Sequence, residues 1–208
     1  MKGERLKLVL ASSSPRRREL LSRLGVEVIV VEPGVRECYR SPFYPSQAVE
    51  VASSKVEAVL GIVGEELPIL GADTVVVLED VPLGKPRDAG EARRMLAMLR
   101  GRWHKVVTGL ALYVPGEGMS LDSVVTEVKM RDYGDDEIEA YVRSGEPLDK
   151  AGAYGIQGLG GLLVEEIRGC YYNVVGLPLS RLAKMLREVG LNPWPALGGE
   201  GKRVDRGG

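Results

Sequence analysis

The chain has 208 residues, 44% of them hydrophobic and 27% charged, the make-up of a folded globular protein and not of a disordered one. Lys plus Arg number 28 against 29 Asp plus Glu, so nothing in the overall charge attracts DNA, RNA or anionic lipid, and no apolar run is long enough to cross a bilayer. Two cysteines allow one disulfide but suggest no disulfide framework, and with one histidine a zinc site lacks ligands, so any catalytic metal is expected to be a hard cation held by carboxylates; the single histidine also argues against Ser-His and Cys-His hydrolysis, with His104 the only base on offer.

The first residues carry too short an apolar stretch for a secretory signal, so the cytoplasm is the expected location. Lys7 to Ala11 reads as a buried strand. Ser12-Ser13-Ser14-Pro15 follows, with Ser14 as N-cap and Pro15 at the first position of a helix over Arg16 to Leu24, which Gly25 ends. Val26 to Val31 is β-branched and predicts a second strand. A loop over Glu32 to Pro45 leads to a helix over Ser46 to Leu60. Leu67 to Ala72 predicts a buried strand ended by Asp73-Thr74, with Val75 to Leu78 still extended. Glu79-Asp80 reads as a hairpin tip and Val81 to Leu83 as the return. Asp88 and Glu91 have capping-box spacing for a helix ending near Arg100-Gly101. Lys105 to Val114 and Ser120 to Lys129 flank a hairpin turn at Pro115 to Gly118. Asp135 to Ser144 predicts a short helix, and Ala151 to Gly161 is glycine-rich. Leu162 to Ile167 and Tyr171 to Val175 read as strands, Leu179 to Val189 as the last helix, and Asn192 to Gly208 as a fraying tail in which Trp194 is a packing anchor. Helices alternate with strands, but hairpins break the order. The expected fold class is α/β, with a mixed central β-sheet flanked by helices. Residues 1–190 read as one α/β domain and 191–208 as a flexible C-terminal tail.

Four segments carry polar chemistry. Ser12 to Arg17 opens a helix with hydroxyls, guanidinium groups and free N–H groups, which suits a polyphosphate; a serine cap followed by a solvated basic turn fits the same residues. In Gly71-Ala72-Asp73-Thr74 an acid at a strand end can hold Mg²⁺ or take a proton from water, or can accept backbone N–H bonds. Gly84-Lys85-Pro86 pins a lysine in what is otherwise a turn, and Lys55 on its helix reads by default as solvated. Asp149 to Gly158 is a glycine-rich run in which Gln157 has the donors and acceptor to read a base edge. Cys38 and Cys170 read as ordinary thiols, and His104 as structural or exposed.

In combination and order, Leu10 to Arg17, Lys55, Gly71 to Thr74, Gly84 to Pro86 and Asp149 to Gly158 resemble the Maf family of nucleoside triphosphate pyrophosphatases over roughly Leu8 to Leu186. The resemblance implies two lobes around a cleft, as in inosine triphosphate pyrophosphatases, a homodimer, and a divalent metal, Mg²⁺ or Mn²⁺. It implies hydrolysis of a nucleoside triphosphate between the α and β phosphates. By position, Ser12, Arg16, Arg17, Lys55 and Lys85 match phosphate-handling residues, and Asp73 matches the proton acceptor. Arg16, Thr74 and Gln157 match positions tied to substrate choice, and Ala-Tyr-Gly-Ile-Gln-Gly resembles the dTTP/UTP subgroup. The acidic cluster that family members carry after the second strand is here Glu32-Pro33-Gly34-Val35-Arg36-Glu37, and Glu37 is taken as the metal-side carboxylate beside Asp73. A nucleotide-binding regulator of cell division, with hydrolysis incidental, is the alternative reading. So is another phosphate-ester enzyme, such as a nucleotidyltransferase or phosphatase.

Overall fold

The structure is a computed structural model that describes residues 6–194. Its frame is one seven-stranded mixed sheet in the order β2-β1-β3-β5-β6-β7, with β4 also paired to β3. Strand β1 (Lys7–Ala11) lies between β2 (Glu27–Val31) and β3 (Ile69–Leu78) and runs parallel to both. The remaining pairings are antiparallel: β3 with β4 (Val81–Leu83) and β5 (Trp103–Val114), then β5 with β6 (Gly118–Met130) and β6 with β7 (Val164–Arg168).

The chain leaves β1 for β2 through helix α1 (Pro15–Arg23) and then reaches β3, on the opposite side of β1, through α2 (Pro45–Val63). Alternation along β1 separates the two helices. Leu8 and Leu10 pack in one cluster with Leu20 and Leu21 of α1, and Val9 and Ala11 pack in another with Ala52, Val56 and Val59 of α2. The order 2-1-3 therefore has its switch point at the C-terminal end of β1, where open α/β sheets bind ligands.

On the α1 face two apolar clusters build the two lobes. One joins α1, β1 and the Leu110–Val114 part of β5 to α6 (Leu179–Glu188). The other joins α3 (Ala89–Leu99), α4 (Asp135–Arg143), the Val76–Leu78 end of β3, Tyr133 and Tyr154. Three 3₁₀ segments, Glu146–Asp149, Ala151–Ala153 and Leu159–Leu163, connect α4 to β7 along the second lobe.

Several expectations are corrected. β3 does not end at Asp73; its ladder to β5 continues to Val77. Leu162 lies in a 3₁₀ segment, and β7 begins at Val164. Tyr171–Val175 is a short helix, α5, and not a strand. Asn173 anchors it: its buried amide donates to the Val106 carbonyl at 2.9 Å and to Thr126 Oγ1 at 3.0 Å, so tertiary hydrogen bonds override local β propensity. Ser14 precedes α1 without a side-chain cap, and its N–H donates instead to Ser12 Oγ at 3.2 Å. Asp88 does cap α3, accepting from Glu91 N at 2.8 Å, but Glu91 returns its bond to Arg87 N. Trp194, expected as a packing anchor, has an exposed side chain, and its backbone exchanges hydrogen bonds with the Asn192 side chain; the rest of the expected tail, 195–208, lies outside the described residues. Cys38 and Cys170 are free thiols. No helix among the described residues is long and apolar enough to cross a membrane.

Candidate active site

One edge of β3 is fully paired with β5. Along its other edge β1 pairs only as far as Gly71 and pairing with β4 begins at Val76, which leaves a gap opposite residues 72–75. Asp73 and Thr74 sit in this gap, and the pleat sends their side chains to opposite faces. A cleft of about 980 Å³ opens there, lined by Ser12, Arg16, Arg17, Glu37, Lys55, Asp73, Thr74, Lys85 and Gln157 among others. Every site residue expected from the sequence is thus brought to one cavity.

The α2 face carries the acid. Gly71 and Gly109 lie on adjacent strands beneath α2, and a Cβ on either would stand within 2.5 Å of the Ala52 or Ala48 carbonyl oxygen. Only glycine allows that approach. It brings Lys55, one turn beyond Ala52, onto Asp73: Lys55 Nζ donates to Asp73 Oδ1 at 2.7 Å and to Glu37 Oε1 at 2.7 Å. Tyr39 donates its hydroxyl to Asp73 Oδ2 at 2.6 Å. Burial and the charge of Asp73 push the Tyr39 phenol far above its ordinary range, so it keeps its proton and donates. Burial works against the charge on Glu37, but Lys55, then Lys85 and Arg17, outweigh it and hold that carboxyl below its ordinary value. Lys85 itself is half exposed, 3.8 Å from Glu37 Oε2.

The Thr74 face is organised by Arg17, which is buried. Its Nε donates to the Gly176 carbonyl at 2.8 Å, Nη1 to Ser12 Oγ at 3.0 Å and Nη2 to Thr74 Oγ1 at 3.0 Å. Burial lowers its pKa, and the charges of Asp73 and Glu37 work the other way. Arg17 therefore commits three of its five N–H donors to Gly176, Ser12 and Thr74, and the remaining two could face a phosphate. Thr74 Oγ1 also lies 2.9 Å from Thr108 Oγ1.

The opposite wall is the segment after α4. Arg16 reaches across to Asp149 at 3.3 Å, and Asp149 also pairs with Lys150 at 2.6 Å. Gln157 is exposed on this wall, and among the described residues no hydrogen bond holds its side chain.

The cleft is balanced in charge. Five cationic side chains (Arg16, Arg17, Lys55, Lys85, Lys150) and five carboxylates (Glu32, Glu37, Asp73, Glu146, Asp149) line it. Among the described residues no three His, Cys, Asp or Glu side chains gather into a metal cage. A Mg²⁺-like ion, however, takes one or two carboxylates and fills its shell with water and phosphate oxygens. Glu37 and Asp73 fit that need, since both already converge on one cationic point, the Lys55 ammonium.

A family model described as Maf-like protein matches residues 7–189. The chain belongs to the Maf family. Among curated Maf relatives, a dTTP/UTP pyrophosphatase of Dictyoglomus turgidum is 50% identical over 89% of this chain and 97% of its own. A dTTP/UTP pyrophosphatase of Thermococcus gammatolerans is 52% identical over 88% of this chain and 96% of its own. Among solved structures, the Staphylococcus aureus Ham1 protein superposes with a TM-score of 0.50 at 12% identity, covering 88% of this chain and 99% of that one, a likeness of fold alone.

Within this Maf cleft two polar residues escaped sequence reasoning. Tyr39 sits in a loop with no motif around it, and its bond to Asp73 spans 34 positions. Glu146 lies just outside the glycine-rich run, yet its carboxylate organises that run. The second could have been sought from the glycines, which imply something bulky underneath.

Proposed function

We propose that the chain hydrolyses dTTP and UTP to the monophosphate and pyrophosphate. The curated relatives' names support the substrates. The observation that carries the chemistry is Asp73, 1% exposed, set by two donors at the floor of the cleft at the sheet's switch point. Ser12, Arg16 and Lys85 take the phosphates by charge-assisted hydrogen bonds, while Arg17 holds Ser12 and Thr74 in place. Each Asp73 oxygen accepts one bond from its fixed partner and keeps a lone pair, so the carboxylate can orient an attacking water and take its proton. Lys55 holds Asp73 against that water and keeps Glu37 beside it.

A triphosphate brings about four negative charges into a cleft with no surplus of positive charge. This balance supports the need for Mg²⁺ or Mn²⁺, which Glu37 and Asp73 would hold. Bound there, the cation would neutralise phosphate charge and polarise the scissile anhydride. Gln157 reads the base: its amide can donate to the 4-carbonyl and accept from N3–H of thymine or uracil, and cytosine inverts that pattern. A second copy of the chain is the expected partner, which light scattering would show.

Purified protein assayed with dTTP, UTP, CTP and ATP in Mg²⁺ tests this reading. The expected result is pyrophosphate and monophosphate as first products, with dTTP and UTP well ahead. Orthophosphate and diphosphate as first products, or CTP or ATP as best substrate, would overturn it. Binding without turnover would favour the regulator.

A further inference from the structure

Gln157 stands on a loop that few side chains support, so something has to fix the loop. The candidate is a single carboxylate beneath it. Glu146 opens the 3₁₀ segment after α4, and the loop folds back over its side chain. Glu146 Oε2 accepts from Leu159 N at 2.9 Å, and Oε1 accepts from Gly160 N at 3.2 Å. These are the first two N–H groups of the Leu159–Leu163 segment, which have no partner within it. Oε1 also accepts from the Tyr141 hydroxyl at 2.9 Å, and that hydroxyl accepts from Gly155 N at 3.0 Å. The two residues thus hold the backbone on both sides of Gln157.

The glycines of the loop match this clamp. A Cβ at Gly158 would stand 2.2 Å from Glu146 Oε2, and one at Gly160 would stand 2.5 Å from the Tyr141 hydroxyl. Gly158 thus sits on the Glu146 carboxylate, and Gly160 on the Tyr141 hydroxyl and the Gly155 backbone. At its other end the clamp is tied to the phosphate side. Lys150 Nζ donates to the Glu146 carbonyl at 2.7 Å and to Asp149 Oδ1 at 2.6 Å, and Asp149 in turn meets Arg16.

We propose that Glu146, with Tyr141, is the positioning residue that sets the loop carrying Gln157 and thereby the enzyme's choice of base. The inference rests on the pyrophosphatase reading above and deepens it. Glu146 acts through the loop backbone that its carboxylate holds. The two loop N–H groups and the Tyr141 hydroxyl all donate, so a carboxylate suits them and an amide does not. Glutamine offers one acceptor oxygen, and its NH₂ would face a donor. The loop would lose at least one bond and Gln157 its fixed height over the cleft. A site that discriminates by paired hydrogen bonds loses selectivity when its reader is free to move.

The test compares wild type with Glu146→Gln, Glu146→Asp and Tyr141→Phe, measuring kcat and KM for dTTP and CTP. Inhibition by inorganic tripolyphosphate is the probe of the phosphate side. In Glu146→Gln the dTTP-to-CTP ratio of kcat/KM should fall about tenfold or more, chiefly through KM for dTTP. Inhibition by tripolyphosphate should stay within about threefold, and amide exchange at Leu159 and Gly160 should quicken. Glu146→Asp, which keeps the charge, should recover part of the ratio, and Tyr141→Phe should lose less than Glu146→Gln. An unchanged ratio in a folded Glu146→Gln, or losses of dTTP and CTP turnover in equal proportion, would overturn the proposal and leave a purely structural glutamate. Should Glu146→Gln fail to fold, the same ratio in Tyr141→Phe decides: a fall supports the proposal and no change overturns it. Wild-type protein that makes no pyrophosphate from dTTP would sink the underlying reading instead, a result visible before any variant is made.

Discussion

Asp73 shows how much one residue's surroundings decide. It is a buried carboxylate whose two oxygens are each fixed by a different donor, Lys55 and Tyr39. Asp73→Asn keeps the shape and removes the charge. Lys55 retains Glu37 as partner, so the ammonium is not left stranded at the cleft floor. Turnover of dTTP should fall by about 10²-fold or more, the scale for loss of a general base, with the circular dichroism spectrum unchanged. Turnover within about threefold of wild type would move the catalytic carboxylate elsewhere, with Glu37 next in line. The motif made Asp73 visible in the sequence. Tyr39 was not visible, because a tyrosine in a loop has no spacing that announces which acid it will meet.

At the level of elements, the lever is the close seat of α2. Ala48, Ala52 and Lys55 follow helical spacing along its buried face, above Gly109 and Gly71. Gly109→Ala would put a methyl 2.3 Å from the Ala48 backbone, and backbone cannot turn aside as a side chain can. The helix must lift or the sheet bend, at a cost of about 1–3 kcal/mol. The Lys55–Asp73 contact should lengthen with it. Activity of the folded Gly109→Ala protein is therefore expected to drop at least tenfold at a temperature well below its lowered Tm. A melting shift with full activity would show that α2 and the acid are not coupled in this way. The sequence pointed to a helix here and to a strand at Gly71, and their distance is a product of two glycines on neighbouring strands. The same limit applies to α5. Tyr-Tyr-Asn-Val-Val has β propensity, and Asn173 turns it into a helical anchor by bonds to strands more than forty residues away.

For the whole molecule, the buried His104 gives a pH signature. It lies in β5 with Nε2 2.8 Å from the Tyr154 hydroxyl, and burial lowers its pKa to about 4. An unfolded histidine takes up its proton near the ordinary value of about 6.5. The folded state binds fewer protons between these values, so this contribution to stability is full above pH 6.5 and is lost as pH falls toward 4. Urea unfolding of wild type should lose roughly 2–3 kcal/mol between pH 6.5 and 4.5 from this group. His104→Gln should show a correspondingly flatter profile across the same window, since the two proteins share every carboxylate. Equal slopes for the two proteins would mean that His104 protonates in the folded state as readily as in the unfolded chain.

Apart from Tyr171–Val175, element types and their order were legible from apolar runs and punctuation: apolar and β-branched runs for the strands, Pro15 and Gly25 around α1, and the hairpin turns at Glu79-Asp80 and Pro115 to Gly118. So was the mixed sheet; the polar residues of the cleft were drawn together by the family resemblance, since Lys55, solvated by default as a helix lysine, is in fact buried against Asp73. What the linear order could not carry was which charge meets which. Arg17, matched to a phosphate-handling position, also meets Ser12, Thr74 and the Gly176 carbonyl, partners that its motif does not name. Glu146 reads as an unremarked residue before a proline and becomes the floor of the glycine-rich loop. Hydrogen bonds and ion pairs depend on distances of a few ångströms between residues dozens of positions apart, and packing of the two lobes on one sheet sets those distances.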